Sequence, residues 1–347
     1  VKLLALLTVV LAAFAFTPPT GAAIPAPPEG LFYHGVYPGD PTGGEDDIQL
    51  EALRSYEQSV GKSAAWVYFS QNWGLDRQFP QRTAEWIRAA GSVPYIRIMW
   101  RDQLVQYRAN SDLTLQRLID GAFDHDLRRW GRAAARFGTP LLVEFGTEVN
   151  GHWFPWNGVY NGAATTGPER FRKAYRHLVA TLRRAGARNI SFVFHVNCED
   201  WPNEAWNRFE NYFPGYDVID WLGVSVYGAQ SPRDDSWPLF RPRLDAAYPR
   251  LVALAKGRPI ALVEFGVAAH NPLGDQAEWV DLALGDLLSG RWPRVVAFSW
   301  WNERWQHDDD RSHDTVMRVQ ENERLLQVFR RRVGENSEVL GSIAPAH

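Results

Sequence analysis

Two glutamates stand out by the company they keep. Glu148 lies in GTEVNGHWFPW (residues 146–156), closely followed by Trp153, Phe154 and Trp156. Glu264 closes an apolar run, IALVEFG (260–266). A carboxyl beside large rings sits beside flat apolar faces, and a sugar ring has an apolar face and a hydroxyl rim. Two carboxyl groups facing each other over a cleft, one protonated and one ionised, are the minimum needed to hydrolyse a glycosidic bond. Burial and each neighbour's charge push two such groups to opposite states. A lone glutamate more often pairs with an arginine at a barrel rim. Two at strand ends, one of them amid a Trp cluster, favour chemistry.

Composition narrows the partners. The chain of 347 residues carries 16 Trp, and an indole is costly to bury unless its N–H finds an acceptor. Trp73, Trp100, Trp156, Trp201, Trp237 and Trp305 fall in or near loops after apolar runs. Stacking on sugar is one expectation for them and filling space between loops the other. A formal net charge of -3 favours neither nucleic acid nor an anionic membrane as partner. Cys198 is the single cysteine, which rules out an intramolecular disulfide.

The first residues place Lys2 before an apolar run (3–16), followed by a Pro pair and GAA. That order predicts a secretory signal peptide over 1–23, its run shorter than the ~18–20 residues that span a bilayer. A Pro-rich linker is expected over 24–30, one catalytic domain over 31–333, and a frayed tail over 334–347. The expected product is a secreted monomer, extracellular or periplasmic, off the membrane once the signal is cleaved.

The elements that must position the two glutamates follow from patterning. Eight short runs read as strands: FYHGVY (32–37), AWVYF (65–69), VPYIRIMW (93–100), PLLVEFG (140–146), ISFVFH (190–195), WLGVSVY (221–227), IALVEFG (260–266) and VVAFSWW (295–301). Several are apolar almost throughout, as in parallel strands buried on both faces. Helical periodicity lies between them. Leu127, Trp130, Ala134 and Phe137 share a stripe that stops at Gly138. Phe171, Tyr175, Leu178 and Leu182 share another, which Pro168 is expected to open. A last helix is expected over about 314–333. Eight strands with helical connections predict a single-domain (β/α)8 TIM barrel of the α/β class. An open doubly wound sheet is the alternative, disfavoured by the lack of a Gly-rich phosphate loop after the first strand. In such a barrel chemistry sits at the C-terminal ends of the strands, where the runs place Glu148 and Glu264.

Several of these segments together resemble glycoside hydrolase family 26, whose best-known members are β-mannanases. They are YHGVYPG (33–39), GAFDHDLRRWGRAAARFGTPLLVEFGTEVNG (121–151), FPGYDVIDWLGVSVYG (213–228), GTEVNGHWFPW and ALVEFG. The resemblance implies a retaining β-glycanase, with Glu148 as general acid/base, Glu264 as nucleophile and Tyr227 hydrogen-bonded to that nucleophile. It implies Trp153 beside the cleavage point and Trp300 or Trp301 as the floor under the reacting sugar. The sequence departs from the family at two places: Thr147 stands where a His usually precedes the acid/base, and Glu144 where an Arg usually stands. Arg97, on the third run, is expected to compensate by pairing with Glu144.

Other residues are weighed the same way. Thr147, Asn150, Trp73, Trp100, Trp156 and His195 join the expected substrate contacts; His34 reads as a barrel histidine satisfied by its neighbours. Glycosidase chemistry requires no cofactor and no metal. The acidic loop HDDDRSHD (307–314) reads as a solvated loop, with a metal site as its alternative. The expectation is a secreted retaining endo-β-glycanase acting on β-1,4-mannan first, then β-1,3-xylan or mixed-linkage β-glucan. A carbohydrate-binding barrel without turnover is the alternative.

Overall fold

The structure, a computed structural model, describes residues 23–40 and 45–343; the expected signal peptide lies almost wholly outside them. The eight runs form eight parallel strands: β1 (Phe32–Tyr37), β2 (Trp66–Asn72), β3 (Val93–Met99), β4 (Leu141–Phe145), β5 (Ile190–Asn197), β6 (Trp221–Tyr227), β7 (Ile260–Gly266) and β8 (Val295–Trp301). Neighbours pair in chain order and β8 pairs back onto β1, from Tyr33 opposite Ala297 to Tyr37 opposite Trp301. The sheet is therefore a closed (β/α)8 barrel and has no free edge along its wall.

Eight helices accompany the strands: α1 (Leu50–Val60), α2 (Gln81–Ala89), α3 (Leu115–Ile119), α4 (Asp124–Phe137), α5 (Ala163–Arg184), α6 (Phe240–Ala255), α7 (Gln276–Leu288) and α8 (Glu323–Phe329). α4 buries the predicted stripe of Leu127, Trp130, Ala134 and Phe137, and Gly138 ends it with a left-handed backbone. Between β5 and β6 the described chain makes only short 3-10 turns, at Ala205–Asn207 and Phe209–Tyr212.

Four local expectations are corrected. α5 begins at Ala163, so Pro168 sits inside the helix rather than opening it. The last helix starts only at Glu323, because residues 315–316 pair with 304–305 in a small hairpin. The segment 24–30 is no loose linker at its start: the Ile24 N–H donates to Ser191 Oγ at 2.7 Å, and the Trp221 indole donates to the Ile24 carbonyl at 3.0 Å. The expected tail is tied down as well, since Val339–Leu340 adds a short parallel pairing to β1.

Aromatic side chains fill the lower barrel interior. The Trp66 ring meets Tyr33, Tyr95 and Trp221 edge-on or tilted, with centroids 6.0–6.3 Å away for Tyr33 and Trp221, and its N–H donates to Ser299 Oγ at 2.7 Å. Gly35 on β1 is required here, because a Cβ at that position would occupy the Trp66 indole. His34 points the other way, out to α1, and bonds the Tyr56 hydroxyl at 2.9 Å.

Candidate active site

The interior positions of the strands change from apolar to polar toward their C-terminal ends. Tyr68 and Ser70 on β2, Arg97 on β3, Glu144 on β4, His195 and Asn197 on β5 and Ser225 and Tyr227 on β6 follow the two-residue alternation of a pleated strand, whereas Glu264 on β7 is turned inward by a break in it. Above them opens a cleft of about 1150 Å³, lined by Glu148, Glu264, Trp153, Asn197, Trp201, Tyr227 and Trp301 among others. Both glutamates face this one cleft.

Glu148 is held by an unusual backbone. Its φ is +46°, in the left-handed region, which costs a non-glycine residue roughly 1–2 kcal/mol. Two residues earlier, Gly146 has φ +76°, and a Cβ there would strike the Phe171 ring. The turn is fixed by Asn150, whose amide donates to the Asn197 carbonyl (2.9 Å), the Glu199 carbonyl (3.1 Å) and Asp200 Oδ1 (2.9 Å). At the end of this strained turn the Glu148 carboxylate accepts from two neutral donors: the Trp153 indole N–H at 2.7 Å and the Asn197 amide at 2.8 Å.

Glu264 is held differently. The pairing of β7 with both neighbours slips around residues 263–264, a bulge of the kind that re-aims a side chain beside a site. Its Oε1 accepts from Arg97 Nη1 at 3.0 Å and faces Tyr68 Oη at 2.8 Å, while Oε2 accepts from the Tyr227 hydroxyl at 3.0 Å. The contact implied for Tyr227 is thus present. Burial pushes the Glu264 carboxyl above the usual carboxylate range, with Arg97 and His195 pulling it down and Glu148 and Glu144 pushing it up.

The expected Arg97–Glu144 ion pair does not form. The two residues are register partners on β3 and β4, but the Arg97 guanidinium reaches Glu264 and Glu45 instead. Glu144 is fully enclosed and draws its donors from elsewhere: the Tyr95 hydroxyl at 2.7 Å, the Thr147 hydroxyl at 2.5 Å and His195 Nδ1 at 3.1 Å. Burial would raise its carboxyl, yet His195, Arg97 and Thr147 hold it down to about 2. Burial likewise disfavours a charged His195, but Glu144 beside it raises its pKa above the ordinary value.

Several expected sugar contacts are removed from the cleft wall by their burial. Trp73 and Trp100 stack on each other beneath the surface, centroids 4.7 Å apart. Trp156 stacks on Phe154 and donates to the Thr147 carbonyl at 2.7 Å. Trp300 points outward and donates to the Met317 carbonyl at 2.8 Å. Thr147, Asn150 and His195 are fully enclosed and spend their polar atoms on protein partners. Trp301, not Trp300, turns into the cleft, stacked on Tyr37 at 4.1 Å.

Other residues now enter the site. Asn197 and Arg97 each touch a carboxylate that faces the cleft. Asn197 continues the inward alternation of Val193 and His195 by one more step, which was the available signal. Trp201 is 50% exposed on the rim. Its backbone N–H donates to the Asn150 carbonyl at 2.9 Å, and its side chain bonds Glu199, itself clamped by Arg243. Glu144, His195 and Glu264 bring ligand-type atoms within 4.8 Å of one another, but Tyr68, Tyr95, Arg97 and Ser225 already hydrogen-bond them, so the group reads as a proton network. In the acidic loop Asp308 and Asp310 turn onto His313.

Comparisons with known proteins agree with this architecture. The profile of Glycosyl hydrolase family 26 matches residues 116–260, a span that holds Glu148 and Tyr227 and stops just short of Glu264. Endoglucanase H of Acetivibrio thermocellus is 24% identical over 288 residues, 82% of this chain and 29% of that protein. The β-1,3-xylanase TXYA of a Vibrio species is 29% identical over 124 residues, 35% of this chain and 24% of that protein. The chain thus spans less than a third of the length of these curated relatives. Among solved structures, a modular endo-β-1,4-mannanase from Cellulomonas fimi superposes with a TM-score of 0.62 at 18% identity, covering 95% of this chain and 81% of that one. The Bacillus subtilis mannanase man26 superposes with a TM-score of 0.57 at 16% identity, covering 82% and 85%. The resemblance to family 26 carried by the motifs around the two glutamates therefore stands, and the barrel is the fold of those mannanases.

Proposed function

We propose that this chain is a retaining endo-β-glycanase, a glycoside hydrolase working by double displacement. The observation that carries the reading is the pairing of Glu148 and Glu264 over one cleft, each with a different set of donors. Glu264 attacks the anomeric carbon and forms a C–O bond as the glycosidic C–O bond breaks. Glu148 gives its proton to the departing oxygen. Water then enters, gives a proton back to Glu148, and displaces Glu264 from the sugar. Arg97, Tyr227 and Tyr68 hold Glu264 in line and favour its ionised form against the effect of burial. Trp301 lies where a sugar would rest, with Trp153 and Trp201 along the leaving-group side.

The substrate is a β-linked polysaccharide, met by a monomer outside the cell that needs no cofactor. β-1,4-Mannan heads the panel. Thr147 spends its hydroxyl on Glu144 and gives a sugar nothing, so the panel extends to β-1,3-xylan and mixed-linkage β-glucan, the former being what the Vibrio relative's name says it cleaves. Among the described residues no helix is long and apolar enough to cross a membrane.

The test is a panel of these polysaccharides and aryl β-glycosides, with the first-formed anomer read by NMR. Retention requires the β-anomer first. Glu264→Ala should end turnover while oligosaccharide binding persists. Turnover surviving in that variant removes the nucleophile. Binding without cleavage by the unaltered protein would leave the alternative, a carbohydrate-binding barrel.

A further inference from the structure

Tyr68 stands between two carboxylates with one proton to give. Its hydroxyl oxygen lies 2.7 Å from Glu144 Oε1 and 2.8 Å from Glu264 Oε1, both within strong hydrogen-bond range. A phenol has one O–H. When both carboxylates are ionised, one of the two short contacts is a hydrogen bond and the other sets lone pair against lone pair. The ring cannot swing away. It is fully buried, packed edge-on against Tyr95 at 4.4 Å and Trp301 at 5.8 Å.

The two competitors are unequally supplied. Without Tyr68, Glu144 keeps the Tyr95 hydroxyl, the Thr147 hydroxyl and His195 Nδ1. Without Tyr68, Glu264 keeps, among the described residues, Arg97 and Tyr227, and Arg97 also serves Glu45. Glu144 replaces the arginine that the family resemblance leads one to expect. The chain has put a second acceptor, not a donor, under the nucleophile.

Building on the double-displacement reading, we propose that Tyr68 and Glu144 are positioning residues that match hydrogen bonding to the charge of Glu264 as it changes. Tyr68 donates to Glu264 while that group is a free carboxylate. Once Glu264 carries the sugar as a neutral ester, it is a poorer acceptor, and the phenol turns its proton to the Glu144 carboxylate. The proton never leaves the phenol oxygen; only its acceptor alternates. Glu144 therefore rewards formation of the ester, and Tyr68 returning to Glu264 rewards its hydrolysis.

Every group that faces Glu264 enters the expectation: Tyr68 on β2, Arg97 and Tyr95 on β3, Glu144 and the following Glu148, His195 on β5, Tyr227 on β6, and Glu45 through Arg97. Trp301 on β8 is uncharged. Glu144 raises the pKa of His195, so the imidazole is followed beside the Glu264 carboxyl when Glu144 is replaced.

Two variants then move the nucleophile in opposite directions. Tyr68→Phe removes a donor from Glu264 and should raise the acid limb of kcat/KM by about half to one pH unit. Glu144→Gln replaces the competing carboxylate with a neutral, weaker acceptor, frees the phenol for Glu264, and should lower the same limb by a similar amount. In the double variant the effect of Glu144→Gln should shrink to what the lost charge alone gives, since the rest acts through the phenol. The same shifts should be seen in the 13C NMR titration of the Glu264 carboxyl, assigned with Glu264→Gln, in protein that is given no substrate. That readout separates this proposal from the glycanase reading, which the polysaccharide panel tests. Shifts of the same sign in both single variants, no shift in either, or an undiminished Glu144→Gln effect without Tyr68 would overturn it. Tyr68→Phe keeps the packed ring, so its titration is readable even if the Glu144 variant is unstable, and an unmoved Glu264 in Tyr68→Phe alone sinks the idea.

Discussion

Glu148 and Glu264 are the same residue type over the same cleft, and their surroundings have little in common. Glu148 rides on a strained left-handed turn above the barrel and, among the described residues, accepts from two neutral donors, an indole and an amide. Glu264 is fixed in the wall by a strand bulge and meets a guanidinium and two phenols over a floor that holds the Glu144–His195 contact. In the proposed mechanism the group that gives up and regains a proton is served by donors that impose no charge of their own. A group that must stay ionised while buried needs a cation beside it. The proposed roles thus rest on environment rather than residue type.

The comparison breaks most sharply at the two carboxylates themselves. Glu264→Ala should lose about 10⁵-fold or more in kcat on every substrate. Glu148→Ala should lose about 10²–10⁴-fold on polysaccharide but little of the first step on an aryl glycoside with an acidic phenol, which needs no proton to leave. Equal losses on both substrates would erase the assigned difference. In the intact protein, activity should fall as pH drops through an acid limb above the ordinary carboxylate range, because burial raises Glu264 and protonation removes the nucleophile.

Next in size is the cation. Arg97→Met leaves Glu264 and Glu45 without their guanidinium, and breaking a buried pair costs about 3–5 kcal/mol. The melting temperature should drop along with activity; an unchanged melting temperature would show that Arg97 is not a structural partner. Trp153→Phe keeps a ring over the cleft and removes only the N–H to Glu148. It should lower kcat by about tenfold, the cost of one charge-assisted hydrogen bond, with KM nearly unmoved. The smallest effect belongs to the rim. Trp201→Ala should raise KM for long oligosaccharides about three- to tenfold, as loss of an aromatic contact of roughly 0.5–1.5 kcal/mol would, and leave short aryl glycosides unaffected.

The floor makes a separate prediction for stability. Glu144 is held down to about 2, so its contribution is present above the usual carboxylate pKa of 4.5 and is lost as pH falls from there toward 2. His195 is raised above 6.5, so its contribution is present below that value and is lost as pH rises through its folded-state pKa. The melting temperature should therefore peak between these limbs, and Glu144→Gln should flatten both.

The tryptophans show where reading the chain stops. Trp153 and Trp301 face the cleft, whereas Trp73, Trp100, Trp156 and Trp300 are enclosed, although all six sit near strand ends in the sequence. Trp300 and Trp301 are adjacent and must point to opposite faces of β8; only the closure of β8 onto β1 decides which one points in. Glu144 was legible as a departure but not as a partner of His195, because strands 4 and 5 meet through register, and register is invisible in one strand's pattern.

The eight strands, the barrel they close into and the two glutamates near their ends were readable from residue patterning. Those follow from apolar runs, turn residues and the rule that chemistry gathers at one face of such a barrel. Which donors each glutamate meets, the turn of Arg97 to Glu264 rather than Glu144, and the sharing of one phenol by two carboxylates come only with the closed barrel. The physical reason is reach: hydrogen bonds depend on fractions of an ångström between side chains that lie as far apart in the chain as Tyr68 and Glu264, and only the closed barrel brings them there.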